Sequence, residues 1–106
     1  YITAVANDYS YDSIYSRIVD GTGNAGDVLI GLSTSGNSGN IIKAFETAKE
    51  KTIITIGFTG ESGGKIKELC DYLFNVPSKD TPRIQESHIM IGHIICELVE
   101  EKLFAE

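Results

Sequence analysis

The chain has few of the residues that build disulfide-rich or membrane proteins. It holds 2 Cys, 2 Pro, 1 Met and no Trp among 106 residues. Cys70 and Cys96 form no CxxC pair and follow no secretory signal, which predicts buried, reduced thiols in a cytoplasmic protein. The longest apolar stretches, Thr52–Phe58 and Ile89–Val99, fall far short of the roughly 20 residues that a membrane helix needs. We therefore expect no membrane partner.

Positive charge is also scarce, since 9 Lys and Arg stand against 15 Asp and Glu and the formal net charge is −6. Such a chain presents no broad positive field to a nucleic-acid backbone, so no nucleic-acid partner is expected. A small anion in one local pocket is compatible with this balance. The length and the 42% of hydrophobic residues indicate one globular domain.

Apolar runs of strand type alternate with segments of helical periodicity along the chain. Strands are predicted at Ile2–Ala6, Asp27–Leu32, Thr52–Phe58 and Tyr72–Val76. Helices are predicted at Asp12–Val19, from a cap at Ser38 or Asn40 to Ala48, around Ile66–Cys70, and at about Pro82–Phe104 with Thr81 as its cap. This alternation predicts an α/β fold of three layers, with a parallel sheet between helices on both faces.

The last helix is apolar on most sides between Ile84 and Val99, unlike the surface helix of a monomer. Two arrangements are compatible with this pattern. The helix packs between the sheet and a second subunit, or it is deeply buried in its own domain.

The segment Ser33–Asn40 (STSGNSGN), which follows a strand of buried type, has the parts of an anion site. Its glycines let a ligand approach the backbone, and the next helix begins with free N–H groups. Hydroxyl donors are supplied by Ser33, Thr34, Ser35 and Ser38. The same residues commonly form turns and caps, so a purely structural role is the alternative. In a parallel sheet this loop should meet Asn7-Asp8 and Thr59–Gly64 at the carboxyl ends of the strands.

Taken together, several segments resemble the sugar isomerase (SIS) family, and within it the bacterial phosphoheptose isomerases. They are Asp27–Asn40 (DVLIGLSTSGNSGN), Ala6–Tyr9 before it, and Asp80–Glu86 (DTPRIQE) and His93 after it. The resemblance covers essentially the whole chain and implies a flavodoxin-like strand order. Family members are roughly twice as long and begin with helices and a strand ending in a GNGGSA-like loop. We therefore expect residues 1–106 to be the C-terminal part of a single SIS domain, incomplete at the N-terminus.

The resemblance also implies an activity, the aldose–ketose isomerisation of sedoheptulose 7-phosphate to glycero-manno-heptose 7-phosphate for bacterial lipopolysaccharide. It implies a cytoplasmic homo-oligomer, a tetramer in the expected case. The 106 residues alone are expected to be inactive, because the catalytic glutamate lies in the absent part.

Individual roles follow from the same resemblance. Ser33, Thr34, Ser35 and Ser38 match positions that hold the phosphate, and Asn7 and Asp8 match a pair at the sugar end of the substrate. Gln85 and His93 match positions near the reacting carbons, where some members bind zinc with these two side chains and a His and a Glu from the absent segment. His93 also matches the acid/base histidine.

Some of these residues also fit simpler roles when they are considered without the resemblance. A single His on an apolar helix is commonly a core residue, and Asp8 is a suitable helix cap. His88 matches no role and is expected at the surface or a subunit contact. A non-catalytic SIS protein, such as a replication-initiator partner or a phosphosugar-sensing regulator, is the alternative to the enzyme.

Overall fold

Three parallel strands form the sheet, and they lie side by side in the order in which they occur along the chain. They are β1 (Val28–Leu32), β2 (Ile54–Thr59) and β3 (Tyr72–Asn75). In this computed structural model, which describes residues 1–105, Leu32 lies opposite Phe58 and Phe58 opposite Phe74. The predicted parallel α/β fold is confirmed, with three strands rather than four.

Four α-helices and two 3-10 helices surround this sheet among residues 1–105. The α-helices are α1 (Ile2–Asp8), α2 (Ile14–Thr22), α3 (Gly39–Glu50) and α4 (Thr81–Phe104). The 3-10 helices are Tyr11–Ser13 and Lys65–Leu69, the second where a helix around Ile66 was expected. Helix α4 begins after Asp80 rather than Thr81, with Pro82 in its first turn, where no N–H is needed.

The predicted strand at Ile2–Ala6 is wrong, because this segment is helix α1. Its backbone hydrogen bonds close within the segment, from the N–H of Val5 to the carbonyl of Tyr1 (3.0 Å) and from the N–H of Tyr9 to the carbonyl of Val5 (2.9 Å). Strand propensity is a weak preference that depends on cross-strand neighbours, and none is paired with this segment. The Tyr1 hydroxyl donates to the carbonyl of Ile14 (2.9 Å), which ties α1 to α2.

Helices α2 and α3 cover one face of the sheet. Val19, Ala44, Ala48 and Ile53 form a buried cluster against which Leu29 packs. On the opposite face α4 meets the end of β2 through its two buried residues, Ile84 and His88. Exposed side chains remain on that face, among them Val28, Ile30, Leu32 and Ile54. The expected burial of the strands on both faces is therefore incomplete in the described residues.

A polar cluster joins β2 to the start of β3 at the amino ends of these two strands. Thr55 is fully buried, and its hydroxyl donates to the carbonyl of Leu69 (2.8 Å). The Asp71 N–H donates to the same Thr55 oxygen (3.0 Å), and the Asp71 carboxylate accepts from the N–H of Thr55 (2.8 Å). One side chain thus fastens two strands.

Replacing Thr55 with Val should destabilise the complete protein, because the carbonyl of Leu69 then loses the Thr55 hydroxyl that donates to it. A buried group left unpaired costs about 1–3 kcal/mol. Thr22→Val is the matched control, since the Thr22 hydroxyl bonds the carbonyl of Ile18 at an exposed position. Urea unfolding measures both, and equal midpoints would contradict the role of Thr55.

The two cysteines differ in their surroundings. Burial, and secondarily the Asp71 carboxylate, raise the pKa of the Cys70 thiol, although Lys49 and the Gly57 backbone oppose the shift. The Cys70 thiol donates to the carbonyl of Ile66 (3.0 Å). Cys96 is exposed on α4, so the expectation of a buried thiol is wrong there.

No helix within residues 1–105 combines the length and apolarity needed to cross a membrane.

Candidate functional site

A cavity of about 990 Å³ opens at the carboxyl ends of the three strands. Each strand contributes the loop that follows it, as expected for a parallel sheet. The lining comes from Leu32, Ser33, Thr34, Ser35 and Ser38 after β1, from Gly60, Glu61 and Ser62 after β2 with Lys67 beyond, from Ser78, Lys79 and Thr81 after β3, and from Ile84 and Gln85 of α4.

Backbone hydrogen bonds join these loops to one another. They run from the N–H of Gly60 to the carbonyl of Thr34 (2.9 Å), from the N–H of Ile66 to the carbonyl of Gly36 (3.0 Å) and from the N–H of Glu61 to the carbonyl of Ser78 (3.3 Å). The loop after β1, residues 33–38, is called the serine loop below. Because the segment after β2 is bonded both to the serine loop and to the loop after β3, the three loops hold one arrangement.

Gly36 makes the close contact between the serine loop and the loop after β2. Its φ of +73° lies in the region that favours glycine, and a Cβ there would overlap the carbonyl oxygen of Gly63. Since the obstructing atoms belong to backbone, no side-chain rotation could make room. Only glycine allows these two loops to pack as they do.

Ser33 holds the serine loop from inside. Its side chain is buried, and its hydroxyl oxygen accepts from the N–H groups of Gly36 (3.1 Å) and Ser38 (3.4 Å). A hydroxyl oxygen has two lone pairs, so the hydrogen of Ser33 is left to donate to the Ser38 hydroxyl, 2.8 Å away. All three hydrogen bonds of the Ser33 hydroxyl are therefore made within the serine loop. The hydroxyl hydrogen of Ser38 is left for another acceptor.

Thr34 and Ser35 have hydrogens available in the same way. The Ser35 oxygen accepts from the N–H of Asn37 (3.1 Å), and the Thr34 oxygen accepts from the Gln85 amide (3.4 Å). Neither hydroxyl donates to another residue among those described. With Ser38, the serine loop thus presents three O–H donors at the cavity.

Helix α3 adds its positive end to this group. It begins at Gly39, with Ser38 in the cap position but without a side-chain cap hydrogen bond. The partial charge at a helix N-terminus favours an anion, and hydroxyl donors beside it complete the coordination of a phosphate oxygen. The arrangement is chemically suited to a phosphate ester.

Gln85 is the residue of α4 that reaches the serine loop. It lines the cavity, and its amide donates to Thr34, which is 51 positions earlier in the chain.

His93 is exposed and does not line any described cavity. It lies eight residues beyond Gln85, about 12 Å along the helix axis. The catalytic role of His93 and its convergence with Gln85 stay predictions.

Asn7 and Asp8 lie at the end of α1, where both side chains are exposed. Neither lines the cavity beside the serine loop, although the chain pattern placed them at the same edge of the sheet. Their position follows from the helical form of α1, because no strand carries them to that edge. Their contact with the sugar stays a prediction.

His88 is buried within the single chain, where a position at the surface or a subunit contact was expected, with 2% of its area exposed. Its Nε2 donates to the carbonyl of Thr59 (2.8 Å), and its ring lies 5.6 Å from that of Phe58 between centroids. His88 therefore anchors α4 to the end of β2, three residues from Gln85. Helical periodicity alone misplaced it, because only packing determines which polar residue of α4 faces the sheet.

The sequence did not single out the charged residues of the cavity. Lys67 of the second 3-10 helix and Lys79 of the loop after β3 line it, and Glu61 lines it as well. The rule that loops after parallel strands meet at one edge predicts that these segments lie near the cavity. It does not indicate which of their side chains line it.

The described residues do not form a metal site by themselves. Residues 1–105 contain no group of three or more His, Cys, Asp or Glu side chains placed to hold an ion. Zinc commonly takes four ligands, or three and a water. Gln85 and His93, separated along α4, supply at most two.

Comparison with known proteins identifies the class. The SIS domain family matches residues 2–60, which is more than half of the chain. The chain belongs to the SIS domain family.

The relatives that match nearly the whole of this chain carry a more specific name than the family. A phosphoheptose isomerase of Aneurinibacillus thermoaerophilus is 62% identical over 103 residues, covering 97% of this chain and 52% of that protein. Phosphoheptose isomerase 2 of Campylobacter jejuni is 59% identical over 105 residues, covering 99% and 52%. The structure of a phosphoheptose isomerase from Neisseria gonorrhoeae superposes with a TM-score of 0.91 at 46% identity, covering 94% of this chain and 56% of that one. The chain thus spans about half the length of the curated relatives that it matches.

Proposed function

We propose that the complete protein is a phosphoheptose isomerase, which converts sedoheptulose 7-phosphate to glycero-manno-heptose 7-phosphate. The observation that carries the proposal is the serine loop, with three available hydroxyl donors and Gln85 against Thr34. The names of the relatives at 59–62% identity support the same reaction. We also propose that residues 1–106 form the C-terminal part of a single SIS domain.

In this proposal the phosphate is held without a basic residue inside the serine loop. Thr34, Ser35 and Ser38 donate to its oxygens, while Ser33 keeps the loop in shape. The N-terminus of α3 contributes favourable dipole energy. Asn7 and Asp8 contact the sugar end in the assembled enzyme, and Gln85 lies between the phosphate site and the reacting carbons.

The reaction moves a proton between adjacent carbons through an enediol, so it needs a base, an acid and stabilisation of charge on oxygen. We assign the proton transfer to His93, because a histidine serves as acid or base near neutral pH. Its partner carboxylate comes from outside this chain. In this proposal Gln85 donates to a sugar oxygen.

Zinc is part of the proposal for the complete protein only. Gln85 and His93 would supply two ligands, and a His and a Glu outside this chain would supply the others. A bound zinc ion would polarise the carbonyl of the sugar. No step assigned to the residues of this chain depends on it.

We propose a homo-oligomer, a tetramer in the expected case, that works in the cytoplasm and supplies heptose for lipopolysaccharide. The exposed apolar residues of α4 support the assembly, because 60% of Ile89, 58% of Met90 and 55% of Leu98 are accessible in the single chain. Unpaired Cys70 and Cys96 are consistent with a reducing compartment.

A turnover assay tests the proposal directly. The complete protein is incubated with sedoheptulose 7-phosphate and the aldose phosphate is quantified. Formation of product at an enzyme-dependent rate is expected. Absence of product, with the protein folded and tested with and without zinc, would contradict the isomerase assignment.

The phosphate site has its own prediction. Ser35→Ala combined with Ser38→Ala should weaken binding of sedoheptulose 7-phosphate by a few kcal/mol, as each hydrogen bond to a charged group contributes about 1.5–3. Ser16→Ala is the control, since the Ser16 hydroxyl bonds the carbonyl of Ser13 on a different element. Unchanged affinity in a calorimetric titration would place the phosphate elsewhere.

A non-catalytic SIS binding module is the second candidate. It is favoured by one observation, the exposed position of His93 away from the cavity lining. Such a protein would bind the phosphosugar through the serine loop without turning it over. Affinity for the sugar phosphate together with absent turnover would select this candidate.

A further inference from the structure

Two lysines outside the serine loop line the cavity from different segments of the chain. Lys67 belongs to the 3-10 helix after β2, whereas Lys79 belongs to the loop after β3. Both line the same cavity as Thr34, Ser35 and Ser38. In a chain of net charge −6, two cations at one opening are a local departure from the overall balance.

The backbone at each lysine is held in place relative to the serine loop. Next to Lys67, the N–H of Ile66 donates to the carbonyl of Gly36 (3.0 Å), and the N–H of Lys65 donates to the Asn37 side chain (2.9 Å). Next to Lys79, the carbonyl of Ser78 accepts from the N–H of Glu61 (3.3 Å), and Glu61 adjoins Gly60, which is bonded to Thr34. The ammonium groups are flexible, but their points of attachment are not.

Neither lysine is engaged by an acidic residue. The ion pair between Arg83 and Glu86 is the only one formed within residues 1–105, and its two members lie on α4. Glu61 shares the cavity but pairs with neither lysine. Two unpaired cations therefore remain available to a ligand in that space.

We propose that Lys67 and Lys79 strengthen the binding of a doubly charged phosphate ester at this site. This inference rests on the proposed phosphosugar site. A phosphate monoester carries close to two negative charges at neutral pH, which two ammonium groups balance. The serine loop supplies short hydrogen bonds, while the lysines supply charge that attracts the ligand and lowers its Kd.

Electrostatic attraction of this kind has a recognisable dependence on salt. Both lysines are exposed, so their interaction with the ligand is screened over about 8–10 Å at physiological ionic strength. The hydroxyl contacts of the serine loop are short-range and respond less to salt. The effect of the lysines should therefore be greatest at low ionic strength.

The experiment measures the Kd of inorganic phosphate and of sedoheptulose 7-phosphate for the complete protein. Lys67→Ala and Lys79→Ala should each raise both constants about two- to fivefold at low salt, and the double variant more, from the usual strength of exposed ion pairs. Lys102→Ala is the matched control, because it removes the same charge at the far end of α4. Adding roughly 0.3 M NaCl, which shortens the screening length, should reduce the difference between the double variant and the wild type.

The outcomes separate this inference from the isomerase proposal. A double variant that binds phosphate as tightly as the wild type at low salt overturns the inference, even where turnover is normal. Weaker phosphate binding by the double variant of a protein without turnover supports the inference and contradicts the isomerase. A wild-type protein that binds neither inorganic phosphate nor sedoheptulose 7-phosphate overturns both. Lys79→Glu provides a second variant, in which reversal of the charge should weaken binding further than its removal.

Discussion

Replacement of His93 with Ala is expected to reduce turnover of sedoheptulose 7-phosphate by the complete protein about 10²–10⁴-fold, the usual contribution of a positioned acid or base. In the proposed site the phosphate is held by the serine loop, so the Kd of sedoheptulose 7-phosphate should change little. Stopped or continuous assays of aldose formation measure the rate, and calorimetry measures the affinity.

Glu97→Ala is the control for His93, since Glu97 is also exposed on α4 and lies one turn farther along the helix. It should leave both rate and affinity near their wild-type values. A His93→Ala protein with close to normal turnover would remove His93 from the mechanism. Because His93 lies outside the cavity lining of this chain, a large effect would indicate that other parts of the protein complete the catalytic centre around it.

The second large effect is expected from Gly36→Ala. The substitution combines an unfavourable φ of +73° with overlap of the new Cβ and the Gly63 backbone. The two loops must separate, which displaces the hydroxyls from their common cavity. We expect loss of detectable binding of inorganic phosphate.

Gly26→Ala separates backbone strain from steric overlap. Gly26 has a similar φ of +88°, but a Cβ there would meet nothing within 4 Å. This variant should lose about 1–2 kcal/mol of unfolding free energy and keep its affinity for phosphate. Gly36→Ala should lose about 1–3 kcal/mol more, the usual cost of forcing atoms into a packed site. Equal losses in urea unfolding would show that Gly36 is not needed for loop packing.

Much of the fold could be predicted because local chemistry and tertiary structure agree. The apolar runs at β1 and β2 end in glycine-rich loops, and α4 carries Pro82 in its first turn. Where the two disagree, prediction failed. Ile2 to Ala6 has strand-forming residues but pairs with no strand, so its backbone satisfies its hydrogen bonds as helix α1.

The candidate site could be predicted only in part, for a related reason. Hydroxyl and glycine residues are contiguous in the serine loop, so their common function is visible in the chain. His88 and Gln85 occur in an apolar helix, where periodicity does not show that one anchors to Thr59 and the other reaches Thr34. Lys67 and Lys79 belong to separate segments that only the folded backbone brings together.

By itself, the order of residues determined the parallel α/β class and the composition of the serine loop, because both depend on neighbours within a few positions. The tertiary structure alone decided which hydroxyls are consumed by the loop and which are available, since that depends on the bonds among Ser33, Gly36 and Ser38. It also brought two lysines to that opening, because contact between loops after different strands is a property of the sheet that carries them.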